Sequence, residues 1–218
     1  MFSQGYKKYK EVSGDYYYEI TNKNKVGHFR AWYHKSRFNK TNNLVKKYIK
    51  KDSVILDLAC GNCTWNSDQL PVVGFDTNEN VLDHALKGGR IKEKIIGDVY
   101  DTKLESESAD IIILSEVLEH LERIDDALKE IRRVLKKDGI FIMSVPYDRP
   151  FTPFYVLFGI LCFIEGDIKG NEFHKQRWGH INHFSRKDIR NRLIKNGFGV
   201  KELVLHNYFL IYSVATKK

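Results

Sequence analysis

Apolar and polar residues fall into two rhythms along the middle of this chain. Short, nearly continuous apolar runs, "SVILDLA", "PVVGFD", "KEKIIGD", "ADIIILS" and "IFIMSVP", predict buried strands. Between them stand stretches whose apolar residues recur three and four apart. In "RIDDALKEIRRVLKKDG", Ile124, Ala127, Leu128, Ile131, Val134 and Leu135 share one helical face, and "KKDG" supplies the stop. "NENVLDHALKGG" predicts a second helix with an asparagine cap and a glycine stop, while "NSDQL" is long enough only for a short helix or turn. This alternation predicts an α/β fold, a doubly wound parallel sheet with helices on both faces. Farther on, "SRKDIRNRLIKNGF" predicts a helix, and "VKELVLHN" and "YFLIYSVAT" two strands close enough to pair antiparallel.

No repeat or low-complexity linker breaks the pattern, so one domain over 1–218 is the simplest division. Within it, 1–51 form a leader with a helical pattern at Leu44, Val45, Tyr48 and Ile49, and 52–145 the alternating core. Residues 146–179 are an insertion, and 180–218 the C-terminal helix and hairpin. A composition of 42% hydrophobic and 29% charged residues is that of a globular protein. Lys7, Lys8 and Lys10 follow Met1 at once and predict no secretory leader. The most apolar run, "FTPFYVLFGILCFI", falls short of the ~20 residues of a spanning helix. Three cysteines make no disulfide framework, so a cytoplasmic location is predicted, with peripheral membrane contact as a further option. The net charge of +8 sits in the leader, where thirteen lysines and arginines face three acids. Such a segment could meet nucleic acid, an anionic membrane or a phosphorylated substrate, or could simply be a solvated face.

In doubly wound sheets, ligands bind beyond the carboxyl ends of the strands. Those ends carry Asp57 and Gly61, Asp76, Asp98, and Ser115 with Glu116. A carboxylate at the end of the second strand, as Asp76 is, can accept both hydroxyls of a ribose. Gly61 lets the first turn bring backbone N–H groups close to a ligand. Cys60 and Cys63 also form a C-x-x-C pair. Structural zinc wants four ligands, and the only other cysteine, Cys162, lies in an apolar run. A redox pair belongs in a thioredoxin-like context that these acids do not match, so the thiol reading is the weaker one.

The ordered set of motifs resembles the class I S-adenosylmethionine-dependent methyltransferases, in particular the type 11 group that includes ubiquinone-pathway O-methyltransferases. "VILDLACGN", "VVGFDTNENVLDHA", "IIGDVYD", "ADIIILSEVLEHL" and "ALKEIRRVLKKDGIFIMSVP" carry it over residues 52–146. "HINHFSRKDIRNRLIKNGF" matches more loosely. The resemblance implies a Rossmann-like, mostly parallel seven-stranded sheet whose last strand is antiparallel. It implies S-adenosyl-L-methionine as cofactor, with S-adenosyl-L-homocysteine as product. Asp57, Ala59 and Gly61 would line the methionine end, Asp76 the ribose, Asp98 and Val99 the adenine, and Ser115 the sulfonium. Arg37 would contact the cofactor carboxylate. The sequence departs from the family where Cys63 replaces a glycine and where the first helix is about one turn short.

Glu116, Glu119 and His120 in "SEVLEHL" stand at i, i+3 and i+4, one face of a helix if that stretch is helical. The motif is similar to that of metal-dependent methyltransferases of RNA 2′-hydroxyls and of catechols, which recruit a later histidine; His180 or His183 of "WGHINHF" would serve. The set could bind Mg²⁺ or a similar divalent ion and activate an acceptor hydroxyl. Without a metal, the acids are helix-start charges, and His120 or His180 is the candidate catalytic base. The apolar stretch in the insertion reads first as a buried helix, and otherwise as cover for a hydrophobic acceptor or a membrane contact. Expected function is therefore O-methylation of a small-molecule or lipid-linked acceptor. An RNA methyltransferase is the alternative, disfavoured because no RNA-binding module is attached, and a non-catalytic cofactor-binding protein is the third reading.

Overall fold

The computed structural model describes residues 13–170 and 180–218. Seven strands form one sheet: β1 (Ile55–Leu58), β2 (Val72–Asp76), β3 (Glu93–Ile96), β4 (Ala109–Ser115), β5 (Leu135–Pro146), β6 (Phe198–His206) and β7 (Leu210–Lys217). Their order is β3-β2-β1-β4-β5-β7-β6. Neighbours among the first five pair parallel, and β7 runs antiparallel to both β5 and β6. The order reverses between β1 and β4, which makes their carboxyl ends the switch point.

Strand alternation sorts the core into two layers. Leu56, Leu58, Ile112 and Leu114 face one side, where helices α3 (Ile124–Val134) and α5 (Arg186–Lys195) contribute Leu128, Ile131, Ile189 and Leu193. Ile55, Ile111 and Ile113 face the other, against α1 (His28–Tyr48) through Leu44 and Val45, and α2 (Glu79–Lys87) through Leu82 and Ala85. Caps fall where the sequence supplies them. The Asn78 side chain accepts from the Asn80 N–H before α2, and Ser185 and Asp188 form a reciprocal box at the start of α5.

Three local expectations change. Between β1 and β2 the chain makes turns, not even a shortened helix. Asn66 pins them, donating from Nδ2 to the Leu70 and Arg90 carbonyls and accepting the Leu70 N–H. "KKDG" does not end α3 as a cap. Leu135 already pairs with Ala109, and the pairing slips before Ile140 meets Ile111, so the four residues bulge out of the ladder. Finally, α4 (Pro153–Cys162), capped by Thr152 and continued by wider π-type turns over Phe163–Ile168, is not a buried helix. Cys162 is buried and Phe154 and Phe158 half-buried, but most of its remaining apolar side chains stand outside. No described helix is long and apolar enough to cross a membrane.

Candidate active site

After β1 the backbone turns through left-handed conformations at Ala59, Gly61 and Cys63, with φ of 54°, 54° and 51°. Only glycine adopts that region without a steric penalty, so neighbouring contacts must hold the other two. Asp76, at the end of β2, accepts the Gly61 N–H at 2.8 Å on one oxygen and the Asn78 N–H at 2.9 Å on the other. Asp57 accepts the Trp65 indole N–H at 2.7 Å and the Cys63 thiol at 3.5 Å.

The Asp57 carboxylate is therefore turned inward. It is 2% exposed, and burial pushes its pKa up to about 7. Through these two bonds it braces the turn that follows β1. Cys63 is fully buried in the same core cluster as Leu44, Val45 and Trp65. Burial, reinforced by the charge of Asp57, raises both the Cys60 and Cys63 thiols well above their ordinary range. Neither is a poised thiolate.

Asp98 accepts the Tyr100 N–H at 2.9 Å, and Val99 is buried beside it. The leader reaches the same region: Asn62 donates to the Gly14 carbonyl at 2.9 Å, and His84 lies 3.5 Å from Asp15. Arg37 is buried on α1 and lies 3.4 Å from Glu116.

A second group of polar side chains gathers where β4 and β5 end. The Ser115 and Ser144 hydroxyls are 2.8 Å apart, and Ser144 donates to Glu116 at 2.9 Å. Tyr33 donates to the other Glu116 oxygen at 3.4 Å. Glu116 has a left-handed φ of 59° and precedes a single 3-10 turn, Leu118–His120. The expected helical face is thus broken. Glu116 turns to Arg37, while Glu119 and His120 turn to His180, and the ligating atoms of these last three lie within 4.8 Å of one another.

Glu119 is 1% exposed, and one of its oxygens has no hydrogen-bond partner among the described residues. Burial first, and then the charge of Glu116, raises its pKa well above the carboxylate range. The Ile181 and Asn182 N–H groups both donate to the Glu119 carbonyl, which docks the segment carrying His180.

Asp148, in the loop after β5, has no exposed surface and was missed in the sequence. His180 Nδ1–H donates to it at 2.6 Å, and His183 Nδ1 lies 3.1 Å from the same oxygen. His183 thus supports Asp148 and is not in the three-ligand group. The available signal was an acid just past the end of the fifth strand, the position already weighed at the other strands. Trp65 and Tyr33 left no such signal, since nothing local marks an aromatic whose polar tip serves a carboxylate.

Residues 56–143 match the family model described as a methyltransferase domain, type 11. Among curated relatives, the ubiquinone/menaquinone biosynthesis C-methyltransferase UbiE of Campylobacter jejuni is 32% identical over 107 residues, 44% of this chain and 46% of its own length. The chain thus spans about half the length of the curated relatives it matches. The PH0226 protein of Pyrococcus horikoshii superposes with a TM-score of 0.65 at 23% identity, covering 97% of this chain and 99% of that one. A SAM-dependent methyltransferase of Aquifex aeolicus gives 0.63 at 13%, covering 95% and 100%. At such identities these likenesses show the fold.

Proposed function

Since the chain belongs to the class I S-adenosylmethionine-dependent methyltransferases of the type 11 group, we propose that it methylates a hydroxyl of a small or lipid-linked acceptor, with Glu119, His120 and His180 on the acceptor side. S-adenosylmethionine supplies an electrophilic methyl on a sulfonium and leaves as S-adenosylhomocysteine. Asp76, already fixed by two backbone N–H groups, is the residue for the ribose hydroxyls, and Gly61 keeps the turn open to close approach. Asp98 and Val99 would take the adenine side, Ser115 the methyl-bearing end, and Arg37 the cofactor carboxylate. These residues contribute alignment and exclusion of water, most of what a methyl transfer needs.

An oxygen acceptor must also lose a proton. With Asp148 accepting from Nδ1–H, the tautomer of His180 that keeps its lone pair on Nε2 is selected, which suits either a general base or a metal ligand. The observation that carries this reading is the meeting of Glu119, His120 and His180 beside the strand ends. One carboxylate and two imidazoles suit Mn²⁺, Fe²⁺ or Zn²⁺ better than Mg²⁺, which prefers six oxygens, and so favour the other divalent ions that the sequence left open. What such an ion adds is a lower pKa for the acceptor hydroxyl.

The test is transfer of labelled methyl from S-adenosylmethionine to apolar phenols, quinols and total RNA, with and without chelator and added Mn²⁺. The expected result is label on an apolar hydroxyl, lost by about 10²-fold or more in His180→Ala with cofactor affinity retained. Label on RNA would replace the acceptor class. Label on a ring carbon would bring the reaction nearer the one named for the Campylobacter relative, with the same histidine removing the proton. Activity unchanged in chelator would remove the metal and leave His180 as base.

A further inference from the structure

We propose that α4 and the turns after it seat the protein on an anionic bilayer surface. Helices apolar around their whole circumference are buried in protein or in lipid. Here one face, Phe154, Phe158 and Cys162, packs inward, while Phe151, Val156, Leu157, Ile160, Phe163 and Ile168 all point outward. Phe151 is 94% exposed and Ile168 66%. Ten helical residues and six more in the wider turns fall short of the ~20 that cross a bilayer, so the element lies in the interface plane.

The surroundings choose lipid over a second protein surface. Phe154 packs against Tyr33 and Phe209, and Phe209 against Phe29 and Trp32, so a seam of rings links α4 to the first turns of α1. Phe29 and Trp32 remain exposed there, as aromatic residues do at membrane interfaces. Trp32 also borders a groove with Lys23, Lys35 and Lys40, none of which has an ion-pair partner among the described residues. The apolar α4, the aromatic seam joined to it and the lysines beside Trp32 complement acyl chains, the headgroup region and anionic headgroups, and in the turns after α4 Glu165 is paired with Lys169 at 2.7 Å.

Whichever acceptor the active site takes, this surface is tested on its own. The wild-type chain and an Ile160→Glu/Phe163→Glu variant, both positions being exposed, are sedimented with vesicles of phosphatidylcholine alone and with 30% phosphatidylglycerol. Cofactor affinity by calorimetry checks that the variant remains folded. The expected result is binding to the anionic vesicles at least tenfold tighter than to the neutral ones, at least tenfold weaker in the variant, and reduced by 0.5 M salt. No sedimentation with any vesicle, equal binding to both compositions, or a variant that binds as well as wild type would each overturn the proposal. So would concentration-dependent dimerisation abolished by the variant without vesicle binding, since a second copy would then be the occupant.

Discussion

Asp57 shows how enclosure changes a single carboxylate. Trp65 and Cys63 close over it, and burial raises its pKa to about 7. Between the ordinary aspartate value of 3.8 and about 7, the native state binds a proton that the unfolded chain releases. Stability from this residue is thus complete below the lower value and lost as pH rises through the upper one, a swing of up to roughly 4 kcal/mol. Urea titrations at pH 5 and pH 8 check it: Asp57→Asn should lose less stability between the two than wild type, and an equal loss would refute the assignment. Asp148 gives the second prediction at this scale. Asp148→Asn should lower methyl transfer 10–100-fold and shift its pH profile, because the orientation of His180 is released, while calorimetry finds S-adenosylmethionine affinity unchanged.

Elements were legible wherever their own sequence carried the cause. The strands announced themselves as apolar runs and α3 by its spacing, and the caps of α2 and α5 were local residues. What local sequence could not carry was a competition between partners. Leu135 goes to β4 instead of extending α3 because Ala109 is there to pair with it. The E-x-x-E-H face is broken because Glu116 is drawn toward Arg37 and Ser144, which come from other parts of the chain. Residues in the C-terminal half of α1 take the place of the missing first helix on the sheet, through Leu44 and Val45. One small residue in these elements is fixed by space alone. A Cβ on Gly97, after β3, would stand 2.4 Å from the Phe75 ring. Gly97→Ala should therefore cost about 1–3 kcal/mol and lower Tm by a few degrees in a calorimetric scan, while a neutral result would mean the ring swings aside freely.

At the scale of the whole molecule, the proposed cofactor site predicts a coupling between ligand and stability. Asp76 ties the turn after β1 to the end of β2, and Asn62 and His84 meet the leader through Gly14 and Asp15, so a ligand there joins three segments distant in sequence. S-adenosylmethionine at a hundred times its Kd should add about 2.7 kcal/mol, a rise of roughly 5–10 °C in Tm. Asp76→Ala should abolish that rise, and thermal shift with and without cofactor decides it.

The carboxyl end of β4 has one more consequence. Ser115, proposed for the cofactor side, and Glu119 with His120, proposed for the acceptor side, are separated by only a few residues of one continuous backbone. The interval between donor and acceptor is thus gauged by covalent chain rather than by the docking of two bodies. With that assignment, breathing of the sheet would carry both reactants together, much as the jaws of a fixed-gap spanner keep their opening when the handle moves. Variation in α4 or the leader can then change what is presented for methylation while the gap across which the methyl travels stays the same.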